Sequence, residues 1–122
     1  MFGRNKKNKS GPVGQIGYCD NSKLGIDKPG GHYVYIRSVE GGKCDVNVVT
    51  SLERGKEQFI SAKIKHIRKG YTYPIPYYDA DFREWSGIKN NAIKGVSLSE
   101  VRNIGVKGIS DKHKAFINKH LK

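Results

Sequence analysis

Two runs rich in β-branched and aromatic residues, separated by a pair of glycines, constrain the fold of this chain more than any other feature. The runs are residues 31–39 and 44–51, and Gly41 and Gly42 lie between them. Adjacent glycines tolerate the positive φ angles that both central residues of a tight two-residue turn require. The pattern therefore predicts a β-hairpin.

Polar side chains that can do chemistry frame this hairpin. His32 stands where the first strand begins, and Thr50 and Ser51 stand where the second strand ends. In an antiparallel pair of similar lengths, the start of the first strand lies beside the end of the second. We therefore expect an imidazole and two hydroxyl groups to be spatial neighbours.

The chain is strongly basic. It contains 23 Lys and Arg residues against 11 Asp and Glu, which gives a formal net charge of +12 and a sequence pI of about 9.8. Such an excess repels itself until an anionic partner binds. Nucleic acid is therefore the leading expected partner. An acidic protein comes second, and an anionic membrane surface comes third because no long amphipathic basic helix is visible.

The sequence predicts neither a membrane-spanning segment nor a signal peptide. It contains no run of 18 apolar residues, and residues 1–10 are basic without the apolar stretch of a secretory signal. We therefore expect a cytoplasmic protein. Cys19 and Cys44 lack the spacing of a metal or redox motif, so we interpret them as buried, reduced thiols rather than as a disulfide.

A length of 122 residues suits one domain with a modest core. Residues 1–13 are predicted to form a disordered basic arm, and residues 14–122 form the domain. Residues 15–19 are the expected first strand. The polar loop that follows, residues 20–31, is long enough to suggest a functional role.

Residues 62–68 alternate apolar and cationic side chains. A period of two indicates a strand that is buried on one face and wet on the other. The cations expected on the wet face are Lys63, Lys65 and Arg68.

The remaining sequence predicts short strands and one helix. Two prolines exclude a central strand from the aromatic-rich residues 71–85, and residues 93–97 and 101–104 are short strand candidates. Ser110 followed by an acidic residue is typical of a helix N-terminus, so a helix is expected from there to the C-terminus. The apolar residues expected to share one face of it are Phe116, Ile117 and Leu121. The whole pattern predicts a mainly β fold, either a small, strongly curved barrel or a half-open sheet, with a C-terminal helix.

Five short segments of the sequence, and the order in which they occur, can be compared with the motifs of known protein families. They are residues 14–18 (Gly-Gln-Ile-Gly-Tyr), 31–36 (Gly-His-Tyr-Val-Tyr-Ile), 46–51 (Val-Asn-Val-Val-Thr-Ser), 96–104 (Val-Ser-Leu-Ser-Glu-Val-Arg-Asn-Ile) and the helix that begins at Ser110. Taken in order, they resemble the MazF/PemK family of small bacterial toxin endoribonucleases, also described as Kid- or CcdB-like. The matches are scattered over roughly residues 14–121.

This resemblance implies a fold, an activity and partners. The fold would be a small SH3-like barrel, and the protein would form a homodimer. The activity would be metal-independent cleavage of single-stranded RNA by the toxin of a toxin–antitoxin system, with an acidic antitoxin as the silencing partner. His32 and Tyr33 stand where the family has an Arg-Pro pair whose arginine is catalytic, and residues 71–85 have no counterpart in it.

Metal-independent RNA cleavage needs a base for the 2′-hydroxyl proton, an acid for the 5′-oxygen, and donors for the charge that develops on the phosphate. We assign His32 as base or acid, because imidazole titrates near neutral pH. Thr50 and Ser51 are assigned as donors to the phosphate, and Arg37 or Arg54 as the charge-stabilising group. The alternative is that His32 only ends a loop and Thr50 only caps a strand.

Aromatic and cationic side chains are interleaved between residues 63 and 85. Exposed rings beside cations can stack on single-stranded bases, at about 1–3 kcal/mol per base, whereas the same rings can also fill a core or a dimer seam. We interpret Tyr71, Phe82 and Trp85 as core or seam residues, and both readings stay open for Tyr77 and Tyr78. The expected nucleic-acid-binding residues are Lys63, Lys65, Arg68, Tyr77, Tyr78 and Arg83.

The spacing of histidines and carboxylates matches neither a zinc site nor a divalent-ion site, and nucleotide-binding glycine loops are missing, so no metal or cofactor is expected. Three functions stay open. The first is a sequence-selective endoribonuclease toxin. The second is a non-catalytic nucleic-acid-binding module of a phage or mobile element. The third is an interaction protein whose basic surface binds an acidic protein.

Overall fold

The computed structural model describes residues 11–52, 61–75, 82 and 85–120. Within these ranges the strands are β1 (Ile16–Asp20), β2 (Gly31–Glu40), β3 (Lys43–Ser51), β4 (Thr72–Ile75), β5 (Ser86–Lys89) and β6 (Ile93–Ser97). The helices are α1 (Asn21–Leu24), α2 (Ser61–Arg68), a 3-10 turn (Leu98–Glu100) and α3 (Asp111–His120). Residues 1–10, which make up most of the predicted basic arm, lie outside the described residues.

The strands form one antiparallel sheet in the order β1-β2-β3-β5-β4, and β6 pairs with β3 off this path. Among the described residues these pairings do not join β1 to β4, so the sheet is open there. The predicted mainly β fold with a C-terminal helix is confirmed. In the described part of the chain, no helix combines the length and the apolar character needed to cross a membrane.

The predicted hairpin is confirmed. Glu40 pairs with Lys43, and the two glycines between them have φ angles of 59° and 78°. A side chain at either position would be strained, because L-residues rarely adopt positive φ. Between Ile36 and Ser38 the register shifts, so Arg37 is the extra residue of a β-bulge.

β3 changes its partner along its length. From Lys43 to Val48 it pairs with β2, whereas its last three residues, Val49 to Ser51, pair with β5. At the same end of the hairpin β2 pairs with β1, and His32 lies opposite Cys19. The open end of the hairpin is therefore held by two different neighbouring strands.

Neighbouring residues of β2 and β3 point to opposite sides of the sheet, and a separate hydrophobic core covers each side. The core on one face contains Val34, Ile36, Cys44, Val46, Val48 and Val96. The core on the other face contains Ile16, Tyr35, Val49, Ile75, Ile88 and Ile117. The second core is covered by α3, where the Tyr35 hydroxyl donates a hydrogen bond to Asn118 Oδ1 at 3.0 Å. Cys19 and Cys44 are free and buried, as predicted, and burial raises the pKa of both thiols.

The strand predicted over residues 62–68 is wrong, since these residues belong to the helix α2. The isoleucines at 60, 64 and 67 recur at intervals of four and three, which is a helical spacing that competes with the alternation. The residues that follow this segment also form a typical helix C-terminus. Gly70, at φ 77°, donates to the Ile67 carbonyl, and the Tyr71 amide donates to the His66 carbonyl, which together form a Schellman motif.

Other elements agree with the sequence in part. Strands at residues 15–19 and 93–97 and the helix after Ser110 are confirmed, with small changes in their bounds. Residues 71–85 do supply a strand, β4, but it lies at the end of the strand order, where Pro74 is tolerated. β5 was not predicted.

Three sequence interpretations need correction. Residues 101–104 form only an isolated bridge, Tyr18 to Arg102, because Asn103 adopts a φ of 54° and turns the chain away. Phe116 is 46% exposed rather than buried beside Ile117, and it stacks on Tyr73 with 5.8 Å between ring centroids. Tyr71 is 58% exposed, so it is not a core residue.

Candidate functional site: a cationic cleft at the open end of the hairpin

The predicted imidazole and hydroxyl lie on the same face of the sheet. Val34 of β2 is paired with Val48 of β3, and both side chains belong to the same core. By strand alternation His32 shares a face with Val34, and Thr50 shares it with Val48. Both side chains therefore occur at the same end and on the same side of the sheet.

A lysine from α2 is anchored at this place. The Lys63 ammonium donates to Thr50 Oγ1 at 2.8 Å and to the Ser51 carbonyl at 2.6 Å. Its charge, together with those of Lys89 and Lys28, also reaches His32. We call the group His32, Thr50, Lys63, Lys89 and Lys28 the cationic cleft. It brings one imidazole, one hydroxyl and three ammonium groups into one region, an arrangement suited to a phosphate ester.

The imidazole of His32 is held in one tautomer. Its Nδ1 lies 2.6 Å from Oδ1 of Asn21, the first residue of α1. Nδ2 of Asn21 donates to the Pro29 carbonyl at 3.2 Å, which fixes the amide so that its oxygen faces the ring. An amide oxygen can only accept, so Nδ1 of His32 carries the proton and Nε2 carries the lone pair. Nε2 is the nitrogen that can take a proton from a substrate.

The cleft keeps His32 neutral. The pKa of His32 is lowered from 6.5, first by burial and then by the positive charges of Lys89, Lys63 and Lys28. Below pH 6.5 the unfolded chain binds a proton on this ring more readily than the folded chain does. Stability therefore falls as the pH decreases through that window, and it is retained above it.

Replacing Asn21 with aspartate should raise the pKa of His32. A carboxylate in place of the amide oxygen, 2.6 Å from Nδ1, would stabilise the imidazolium. We expect the NMR titration of the His32 ring protons to move to higher pH than in the wild type. Ser22→Asp is the matched control, because it adds the same charge on the exposed side of α1. Equal shifts in both variants would contradict a direct contact with Asn21.

A cavity of about 420 Å³ shares Thr50 with the cleft but is also lined by Tyr33 and Val49, which pack on the face of the sheet opposite to His32. Its lining residues are Tyr33, Val49, Thr50, Ser51, Phe82, Ser86 and Lys107. The rings of Tyr33 and Phe82 meet edge to face, with centroids 5.5 Å apart. The cavity, here called the hydroxyl cavity, therefore combines three aliphatic hydroxyl groups, an aromatic wall that includes the Tyr33 phenol, and one lysine. Such a lining can accept a base on the rings and a phosphate at the lysine.

The structure brings some of the sequence-predicted site residues together and leaves others apart. His32, Thr50 and Lys63 belong to the cationic cleft, and Ser51 lines the hydroxyl cavity. Arg37 is five residues along β2 from His32, about 17 Å for an extended strand, and its Nη1 lies 3.5 Å from Asn47 Oδ1. Lys65 and Arg68 are exposed on α2. Four of the predicted residues lie outside the described part of the chain: Arg54, Tyr77, Tyr78 and Arg83.

Sequence reasoning missed several residues of this region. Asn21 carries only a weak signal, a polar residue in the long loop before the hairpin. Lys89 is the last residue of a four-residue strand that has no recognisable pattern, and Lys107 lies in a glycine-rich turn. Asn47 was also missed. Its buried Nδ2 donates to the carbonyls of Lys89 and Asn90 at 2.8 and 3.0 Å, which fixes the end of β5 against β3.

Over the described ranges, no three His, Cys, Asp or Glu residues are grouped in a way that could hold a metal ion. A scan against protein-family models and a search of curated proteins both returned no match to this chain.

Proposed function

We propose that this protein binds single-stranded RNA in the cationic cleft and cleaves it without a metal ion. The observation that carries the proposal is a neutral imidazole at the open end of the hairpin, fixed with its lone pair on Nε2 and acted on by the charges of three lysines. The formal net charge of +12 supports a polyanionic substrate. The aromatic wall of the hydroxyl cavity supports unpaired bases, which stack on rings.

The proposed reaction is an internal transesterification. His32 Nε2 takes the proton of a ribose 2′-hydroxyl, and the 2′-oxygen forms a bond to phosphorus. The bond from phosphorus to the 5′-oxygen breaks, and this oxygen takes a proton from water. The products are a 2′,3′-cyclic phosphate and a 5′-hydroxyl, and the imidazolium returns its proton to solvent.

Lys63 is proposed to supply the positive charge that we first assigned to Arg37 or Arg54. Its ammonium is already held by Thr50 Oγ1 and the Ser51 carbonyl, so little rearrangement is needed before it neutralises charge on the phosphate. Arg37 is engaged at the bulge with Asn47 instead. Thr50 would position this lysine and donate its own hydroxyl proton to a phosphate oxygen.

We further propose that the fold is an SH3-like barrel of the MazF/PemK type and that the protein is a divergent member of that family. Support comes from the ordered segments of the sequence and from β3, which serves two sets of strands as corner strands of small barrels do. On this proposal an acidic antitoxin would cover the cationic cleft, and the protein would form a homodimer. His32 would replace the family's catalytic arginine as the principal reacting group.

The test is cleavage of a long single-stranded RNA in excess EDTA. We expect fragments with 2′,3′-cyclic phosphate and 5′-hydroxyl ends. Lys63→Gln should reduce the rate by about 10²–10³-fold, the usual effect of removing one group that stabilises transition-state charge. Lys69→Gln is the matched control, because it removes an exposed lysine directly after the same helix.

Two outcomes would contradict the proposal. Salt-sensitive binding of RNA with no cleavage would favour the non-catalytic nucleic-acid-binding module. Tight binding of acidic proteins with no affinity for RNA would favour the interaction protein.

A further inference from the structure

We infer that the RNA-binding groove continues beyond the hydroxyl cavity into a second, glycine-lined cavity, where Lys107 and Lys114 bind the next phosphates of the same strand. This inference rests on the proposed function and extends it, because it defines a longer substrate than the reacting nucleotide alone. It concerns residues far along the chain from the hairpin.

The second cavity has a volume of about 380 Å³ and lies where the first turn of the described chain meets the segment before α3. Its lining includes four glycines and two lysines: Gly11, Gly14, Gly105, Gly108, Lys107 and Lys114. Because glycine has no side chain, these positions leave backbone close to anything that enters the cavity. We call it the glycine cavity.

The walls of the glycine cavity are held in place by several hydrogen bonds. Gln15 Nε2 donates to the Gly11 carbonyl at 3.1 Å. The amides of Gly14 and Gly105 donate to the carbonyls of Ile36 and Ile16 at 2.8 and 3.0 Å. A Cβ at Gly105 would come within 2.4 Å of Gln15 Oε1, and its φ of 86° also favours glycine. The bonds to Ile16 and Ile36 thus tie the walls of the cavity to β1 and β2.

Lys107 joins the two cavities, because it lines both of them. A strand that occupied both cavities would pass Lys107 between them. Two cavities with a shared cation suit a linear polyanion better than a compact anion, which would fill only one. Single-stranded nucleic acid is bound in this manner, by a basic groove that follows the backbone.

The charge of the glycine cavity favours phosphate. Lys107 and Lys114 line it, and its lining contains no carboxylate. Within the described residues Lys114 pairs with Asp111, whose Oδ1 lies 3.9 Å from Lys114 Nζ and whose carboxylate is fully exposed. A solvent-exposed ion pair of this length contributes little and is easily exchanged for a phosphate.

The experiment measures binding of oligouridylates as a function of length and salt. The probes are a tetramer and a dodecamer with 2′-O-methyl groups, which block cleavage because the attacking oxygen is capped. The wild type should bind the dodecamer more tightly and with a steeper salt dependence. Lys114→Gln should weaken only dodecamer binding and reduce its salt slope by about 0.7, the value for one lost contact to a single strand.

Two further variants make the test specific. Lys107→Gln should weaken both oligomers, because this lysine stands at the junction of the cavities. Lys112→Gln, an exposed lysine on the same helix as Lys114, is the matched control and should change neither.

The outcomes separate this inference from the proposed function. If the tetramer binds but Lys114→Gln behaves like Lys112→Gln, the second subsite is overturned and the cleft still stands. If the wild type does not bind the tetramer, the proposed function fails, and the inference fails with it. Displacement of the dodecamer by polyglutamate at the same concentration of charge would identify an acidic peptide as the better ligand and would also overturn the inference.

Discussion

Replacing His32 with glutamine is expected to slow RNA cleavage by about 10²–10⁴-fold, the usual contribution of a positioned general base. Glutamine keeps a polar side chain near Asn21 but has no lone pair that can take a proton at neutral pH. First-order rates on a long single-stranded RNA in EDTA measure the effect. Binding of the 2′-O-methyl dodecamer should change little, because the three lysines of the cleft remain.

His66→Gln is the control for this substitution, since His66 is an exposed histidine on α2. It should leave the rate unchanged. The pH profile gives a second readout. The wild-type rate should fall only as the pH drops below 6.5, because burial and the cleft lysines lower the pKa of His32. An unchanged rate for a folded His32→Gln variant would remove this residue from the mechanism.

Replacing Ile88 with alanine should destabilise the protein by about 2–5 kcal/mol, the range for truncating a large aliphatic side chain in a core. Ile88 is fully buried in the middle of β5, where it pairs with Val49 of β3 and with Tyr73 of β4. Removing its side chain leaves a cavity under the strand that carries Lys89. Urea denaturation followed by circular dichroism measures the change in the free energy of unfolding.

Two variants bracket this prediction. Ile88→Val removes one methylene and should cost about 0.5–1.5 kcal/mol. Val106→Ala truncates an aliphatic side chain that is 69% exposed, so it should have almost no effect. If Ile88→Ala were no more destabilising than Val106→Ala, the core on that face of the sheet would be packed differently.

The parts of the fold that sequence predicted well are those that local chemistry determines. The hairpin follows from two adjacent glycines that must adopt positive φ, and the last helix follows from Ser110 and Asp111 at its N-terminus. The residues of α2 were misread because their cations and isoleucines satisfy a period of two and a helical period at once. The glycine at 70 was the signal that should have decided between them.

The candidate site was predicted only where strand register controls it. Alternation along the hairpin places His32 and Thr50 on one face of the sheet. Lys89 could not be found in this way, because β5 has only four residues and its position depends on pairing with β3 across the fold. The contact between Asn21 and His32 depends on the conformation of the loop between them. No periodic pattern in the sequence predicts that conformation.

The change of partner along β3 has a consequence for how the protein would fail. The stretch of β3 that carries Thr50 is supported by β5, whereas the stretch that pairs with β2 has its own ladder. Partial unfolding that detaches β4 and β5 would therefore remove the strand that pairs with Thr50, while the hairpin of β2 and β3 stayed folded. On heating, the proposed RNA cleavage should be lost before most of the secondary structure. The temperature at which cleavage stops would therefore lie below the melting temperature of the fold.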